Sequence, residues 1–273
     1  MAHLAPDTSG SSRTHRAVAI IPARLDSTRL ARKMLLRDTG RFLFEHTVAN
    51  LLEGGALERV VLATDSEEIL AAAKDTGVEA LMTRADHKSG TDRVHEAHRQ
   101  LVERGEAFDV VVNVQGDEPD VDSGDLRRLI AAFEDSEVEL ATLWASFEDA
   151  SQVDAGSAVK LVTDARGDAL YFSRAAIPDR SHARAEASDS ADSWKRHIGV
   201  YAFRPDALAR FCALPAGRLE RLENLEQLRW LEAGHRLRAI RADHCPSGID
   251  TAEDYAAFVA RTAHPRPTPG LNS

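Results

Sequence analysis

Two sets of side chains in this sequence go beyond what folding needs: a cluster of cations and a pair of carboxylates. Arg24, Arg29, Arg32 and Lys33 fall within ten residues, directly after Val18-Ala19-Ile20-Ile21, an uncharged apolar run closed by Pro22. Such a run fits a strand buried on both faces of a parallel sheet. Ligands of open α/β sheets bind beyond the carboxyl ends of the strands, so a cationic loop placed there meets an anion, a triphosphate being the obvious candidate. A solvated loop explains the same charges equally well. The first carboxylate is Asp117, in Gln115-Gly116-Asp117-Glu118-Pro119, which follows the strand-like run 109–114. Gly116 lets the backbone turn without a Cβ penalty and Pro119 rigidifies the exit, so Asp117 can reach a hard cation that bridges phosphates. An ordinary acidic turn needs none of this. Asp250, in Gly248-Ile249-Asp250, either converges with Asp117 or belongs to a helix cap.

The elements that must position these groups alternate. Helical spacing over 42–52 ends at Gly54-Gly55, a strand follows at 59–63, and Asp65 with Glu68 three residues on is the expected cap of the next helix. A third strand over 78–82 leads through a polar loop, 83–93, into a helix over 91–102. Ser89-Gly90-Thr91 opens that helix, where free backbone N–H groups and two hydroxyls can hold a base or a phosphate, or simply cap it. Another helix starts at Asp122. Strand and helix in alternation predict a doubly wound α/β fold. The second half differs: strands at 140–145, 158–162, 169–172 and 197–203 without long helices between them predict an antiparallel excursion over one side of the site. Loop 180–192, charged and rich in Ala and Ser, is expected to be mobile. Leucines at 219, 222, 225, 228 and 231 predict one amphipathic helix, followed by a strand at 237–240 and a terminal helix capped from Thr251.

The chain has 273 residues, 43% of them hydrophobic, and a formal charge of -10, enough for one large domain and opposed to a general nucleic-acid or membrane-surface binder. The local cations therefore stand out. Two cysteines, Cys212 and Cys245, lack metal-ligand spacing and suit a reducing compartment. No apolar run approaches the roughly 20 residues of a membrane helix and no signal-peptide core opens the chain, so a cytosolic protein is expected. The domain is expected to span 17–263, between disordered tails at 1–16 and 264–273.

Taken in order, Ile-Ile-Pro-Ala-Arg with Ser27-Thr28-Arg29-Leu30, Met82-Thr83-Arg84-Ala85-Asp86-His87 with Ser89-Gly90-Thr91, and Val112-Asn113-Val114-Gln115-Gly116-Asp117-Glu118-Pro119 closely resemble the 3-deoxy-manno-octulosonate cytidylyltransferases, the CMP-Kdo synthetases. Tyr171-Phe172-Ser173-Arg174, His197-Ile198-Gly199-Val200-Tyr201, Leu225-Glu226-Gln227-Leu228-Arg229 and Gly248-Ile249-Asp250-Thr251 fit the same family in the same order. The resemblance implies a Rossmann-like nucleotidyltransferase domain with a mainly parallel sheet and a small antiparallel extension, within about 145–235, used for dimer contact and sugar binding. It implies a homodimer whose substrates are CTP and an acidic sugar, with Mg2+ as cofactor. By position, Ala23, Arg24, Lys33, Arg84, Ser89, Gly90, Thr91, Gln115 and Gly116 would bind the nucleotide. Arg174, His197, Tyr201, Glu226 and Gln227 would face the sugar acid, Arg174 meeting its carboxylate. Asp117 and Asp250 would hold the metal, and Arg24, Lys33 and Asp117 would be catalytic.

One departure stands out. Where the family has Pro-Gly-Lys-Pro, this chain has Ala31-Arg32-Lys33-Met34. A loop that needs positive φ at position 32 would be strained by arginine, by roughly 1 to 2 kcal/mol. Two other readings remain: a cytidylyltransferase for another acidic sugar, such as sialic acid or amino-Kdo, and a catalytically dead nucleotide-binding relative. No Gly-x-Gly-x-x-Gly follows the first strand, which disfavours a dinucleotide-binding oxidoreductase.

Overall fold

Strand β1 (Ala17–Ala23) divides its side chains by parity. Ala17, Ala19, Ile21 and Ala23 join one apolar cluster, whereas Val18 and Ile20 join another. A strand that buries both faces this way lies between two helical layers. The computed structural model describes residues 15–25, 29–147, 149–182, 194–246 and 248–263. Loop 180–192 falls almost wholly outside them, as do Ser27, Thr28 and most of both tails. Arg16 is part of the fold, its guanidinium paired with Glu58 at 2.7 Å and its backbone N–H bonded to Asp109.

The first half winds as its pattern predicts. α1 (Leu43–Glu53), β2 (Arg59–Thr64), α2 (Glu67–Thr76), β3 (Ala80–Met82), α3 (Gly90–Glu103), β4 (Val110–Asn113) and α4 (Ser123–Ala131) follow in turn. β5 (Leu140–Ser146), β6 (Lys160–Thr163), β7 (Ala169–Ser173) and β8 (Lys195–Phe203) come next. α5 (Pro205–Ala213), α6 (Arg218–Glu223), α7 (Leu228–Glu232), β9 (Arg238–Arg241) and α8 (Ala252–Ala263) complete the order. The sheet runs β3-β2-β1-β4-β8-β5-β9, with the β6–β7 hairpin attached through β6 to β8. β3, β2, β1 and β4 are mutually parallel, β8 is inserted antiparallel between β4 and β5, and β9 lies parallel to β5. α1, α2, α4 and α8 pack on one face, and α3, α5 and α7 on the other. No helix among the described residues is long and apolar enough to cross a membrane.

Two expectations fail locally. The leucines at 219–231 do not share one helix: α6 and α7 are separated at Asn224, which adopts φ 52° and ψ 50°, and Leu222 is 69% exposed while Leu228 is fully buried. A step of three advances about 300° around a helix, so five such leucines fan through roughly 240° and one straight helix cannot bury them all. Asp65 does not cap α2 either. Ser66 does, accepting from the Ile69 N–H, while Asp65 accepts from the buried Arg93 at 2.7 Å. A fully buried guanidinium demands a carboxylate, and that demand outweighs a cap which the neighbouring serine can supply.

Candidate active site

Two of the four clustered cations, Lys33 and Arg29, meet both carboxylates at one point. Lys33 opens a single 3-10 turn, 33–35, and its side chain is nearly buried. Its ammonium donates to Asp117 and to the Ile249 carbonyl at 2.8 Å, and reaches Asp250 at 3.2 Å. Three chain segments therefore close around one nitrogen: the loop after β1, the loop after β4 and the turn before α8. Arg29 adds a second cation, 2.9 Å from Asp250. Asp250 is not consumed by the helix cap, because Asp254 and Thr251 form that cap themselves. The preceding residue, Arg32, sits at φ 53° and ψ 31°, the left-handed region, with its guanidinium turned away to pair with Glu68.

A cavity of about 310 Å³ opens here, lined by Pro22, Arg24, Lys33, Gln115, Asp117 and Asp250 among others. Ala23 ends β1 beneath it. Arg24 donates to the His87 carbonyl at 3.0 Å and so ties the β1 loop to the loop before α3. Ser89 caps α3 by accepting from the Asp92 N–H. Gly90 and Gly116 are needed for space rather than turning. A Cβ on Gly90 would lie 3.2 Å from Pro22, and one on Gly116 would lie 2.7 Å from the Met34 sulfur and 3.3 Å from Ile21. Gly116 has no positive φ; its bareness lets the Lys33 turn settle onto the loop that carries Asp117. Arg84 is exposed and leans on Glu96 and Asp86 at the edge of a separate cavity.

Behind these loops lies a buried polar cluster. Thr91 donates to Glu226 at 2.7 Å, and Asn113 bridges weakly from Thr91 to Gln115. The other Glu226 oxygen, Oε1, and the Gln227 nitrogen are buried and lack hydrogen-bond partners among the described residues, although the Arg229 guanidinium stands 3.6 Å from Oε1. Burial pushes the Glu226 carboxyl up, against the opposing hydrogen bonds of Ser89 and Thr91. Tyr201 is raised well above an ordinary phenol by burial and by the charges of Glu226 and Glu118. His197, stacked edge-on between Phe172 and Tyr201 and 3.0 Å from Thr142, is pulled down to about 3 by burial and stays neutral. Arg174 is differently engaged. Its guanidinium donates to the carbonyls of Glu223 and Gly156 at 2.8 and 2.9 Å, pinning the turn after β7. Sequence reasoning passed over two residues. Glu118 was quoted in its motif but given no role; burial pushes it up to about 8, Asp117 and Asp250 add to the shift and Arg196 opposes it. Arg93, fully buried, bonds Asp65 and Thr83 and so fastens α3 to the ends of β2 and β3.

A sequence profile of the cytidylyltransferases matches residues 18–238. The chain is 42% identical over 251 residues to the 3-deoxy-manno-octulosonate cytidylyltransferase of Chelativorans sp., covering 87% of this chain and 93% of that one. The chain belongs to that family. The enzyme of the same name from Nitratidesulfovibrio vulgaris is 45% identical over 242 residues, covering 88% and 93% of the two chains. Among solved structures, a CMP:2-keto-3-deoxy-manno-octonic acid synthetase complexed with CTP superposes with a TM-score of 0.81 at 35% identity, covering 91% of this chain and 98% of that one. The Rossmann-like architecture and the nucleotidyltransferase class follow from these matches. The one grouping of three residues with metal-like spacing among the described residues is Asp122, Asp125 and His244, of which Asp122 and His244 line a different cavity from that of Lys33. Asp122 caps α4, and Asp125 is occupied by Arg128 and the Asp243 N–H, so their work is structural.

Proposed function

We propose that the protein couples CTP to the anomeric hydroxyl of 3-deoxy-manno-octulosonate (Kdo), giving CMP-Kdo for lipopolysaccharide assembly and releasing pyrophosphate. The observation that carries this reading is the clamp in which Asp117 and Asp250, far apart in the chain, converge on Lys33 at the carboxyl edge of the parallel strands, in a chain of this family. In the reaction the sugar oxygen bonds to the α-phosphorus, the bridge to the β-phosphate breaks and the hydroxyl proton leaves. No side-chain nucleophile takes part. Two anions must be brought together, so positioning and charge neutralisation dominate catalysis. Lys33, Arg24 and Arg29 supply the cations, and Ser89, Gly90, Thr91 and Gln115 form the cradle for the nucleoside.

The donor set fits Mg2+. Two carboxylates facing one cation offer hard oxygens where the triphosphate would lie, and Asp117 and Asp250 would hold the ion. Bound there, it supplies neutralisation of phosphate charge and a lower pKa for the sugar hydroxyl. His197 is neutral and turned to Thr142, and we assign it to hydrogen bonding rather than to proton abstraction. The Glu226 oxygen and Gln227 nitrogen that lack hydrogen bonds among the described residues support a polyhydroxy ligand. We assign a homodimer formed through β7 and α6, where Leu170 and Leu222 are 62% and 69% exposed, in the cytoplasm, where CTP is supplied.

The test is pyrophosphate release with magnesium, offering CTP, UTP, ATP and GTP against Kdo, amino-Kdo and sialic acid. Release that requires CTP and Kdo together is expected. Activity only with another sugar acid would refute Kdo as the substrate, and nucleotide binding without turnover on any sugar would refute the enzyme reading.

A further inference from the structure

The cleft continues past Asp250. Arg29 and Asp250 also wall a second cavity, of about 460 Å³, whose other sides include Glu118, Ser157, Arg196 and Thr251. Arg196 lies on β8, and its guanidinium has neither a hydrogen bond nor an ion pair among the described residues. Glu118 Oε2 is buried and has no hydrogen-bond partner among the described residues, and Glu118 lines this cavity together with Arg196. Two glycines border this carboxyl. A Cβ on Gly199 or Gly248 would stand 3.9 or 4.0 Å from Glu118 Oε1. An uncommitted guanidinium, an open carboxyl and two hydroxyls form a recognition set for an acid that carries several hydroxyl groups. The planar guanidinium fork matches a carboxylate in a way that no other side chain does.

We propose that Arg196, rather than Arg174, takes the carboxylate of the sugar acid, with Glu118 accepting one of its hydroxyls. This rests on the reading of the protein as an acidic-sugar cytidylyltransferase and deepens it. Arg174 is already committed to three backbone carbonyls, those of Glu223, Gly156 and Asn224, and releasing it would give up those bonds. Arg196 gives up nothing comparable.

The experiment compares Kdo with its neutral carboxamide as substrates for the parent, Arg196→Gln, Arg196→Lys and Arg174→Gln, with the KM for CTP followed in each. Arg196→Gln is expected to raise the KM for Kdo about 10- to 100-fold, the worth of a charge-assisted pair, to leave the KM for CTP unchanged and to abolish the preference for acid over amide. Arg196→Lys keeps the charge without the fork and should retain part of that preference; it also serves if the glutamine variant does not fold. Arg174→Gln should lower the melting temperature and leave the acid-to-amide ratio intact. An unchanged ratio in both Arg196 variants, or its loss in Arg174→Gln, overturns the proposal. A parent that releases no pyrophosphate from CTP and Kdo overturns the underlying function as well, and the parent assay alone shows it.

Discussion

Replacing Arg32 isolates the energetics of the altered loop. Its left-handed backbone, φ 53° and ψ 31°, costs an L-residue about 1 to 2 kcal/mol. The partly compensating ion pair to Glu68 has side chains 57% and 47% exposed, and an exposed pair contributes about 0.2 to 1 kcal/mol. Arg32→Ala keeps the strain and loses the pair. Arg32→Gly loses both, but adds roughly 0.4 to 1 kcal/mol of unfolded-chain freedom. The pair cancels between the two variants, so glycine should exceed alanine by about 1 kcal/mol, or roughly 2 to 4 °C in melting temperature for a chain of this size. Thermal and denaturant unfolding measure the difference directly. Turnover should change little in either variant, because Lys33 is held by Asp117, the Ile249 carbonyl and Asp250 rather than by its neighbour. Alanine matching or exceeding glycine in stability would refute the strain argument, and a collapse of turnover in both would refute the independence of Lys33.

Lys33→Ala should lower kcat/KM by about 10²- to 10³-fold and tighten Mn2+ binding, because two carboxylates lose their shared cation; calorimetric titration with Mn2+ gives a readout free of activity. Gly116→Ala should cost about 1 to 2 kcal/mol, since the new methyl meets the Met34 sulfur at 2.7 Å and the stiffer Ile21 at 3.3 Å, and should raise the KM for CTP by displacing the turn that carries Lys33. His98 is pulled down to about 4 by burial and the nearby His95. Its stabilising effect is full above pH 6.5 and is lost as pH falls from 6.5 towards 4, by up to about 1.4 kcal/mol per pH unit. Glu118, raised to about 8, acts in the opposite sense from pH 4.5 to 8. The histidine contribution is therefore the difference between parent and His98→Gln stability over pH 7 to 5, and parallel curves would refute it.

The parallel half of the fold was legible because its strands are buried on both faces and its helices begin with residues whose side chains cap, as Ser89 and Asp122 do. Both signals are local. What sequence reading missed depends on partners far along the chain: Asp65 is taken by Arg93, 28 residues away, and nothing local separates it from Ser66 as a cap. The leucine repeat misled because a step of three resembles helical spacing over one turn and drifts from it over four. In the site, Asp117 and Asp250 could be named from their motifs, and the strain at Arg32 followed from one substitution. Glu118 has no role legible in its motif, because its meaning depends on the cavity it shares with Arg196, which sequence separation hides.

Lys33 donates to the carbonyl of Ile249, 216 residues later. At 5 to 20 residues per second, a ribosome takes roughly 10 to 40 seconds to make the second partner after the first. During that interval the emerging chain can pair β1 with β2 and β4, but the lysine has no Asp250 to share. Competence to activate sugar arrives last, with the segment that leads into α8: a fragment released before residue 249 holds every strand from β1 to β9 and lacks Asp250.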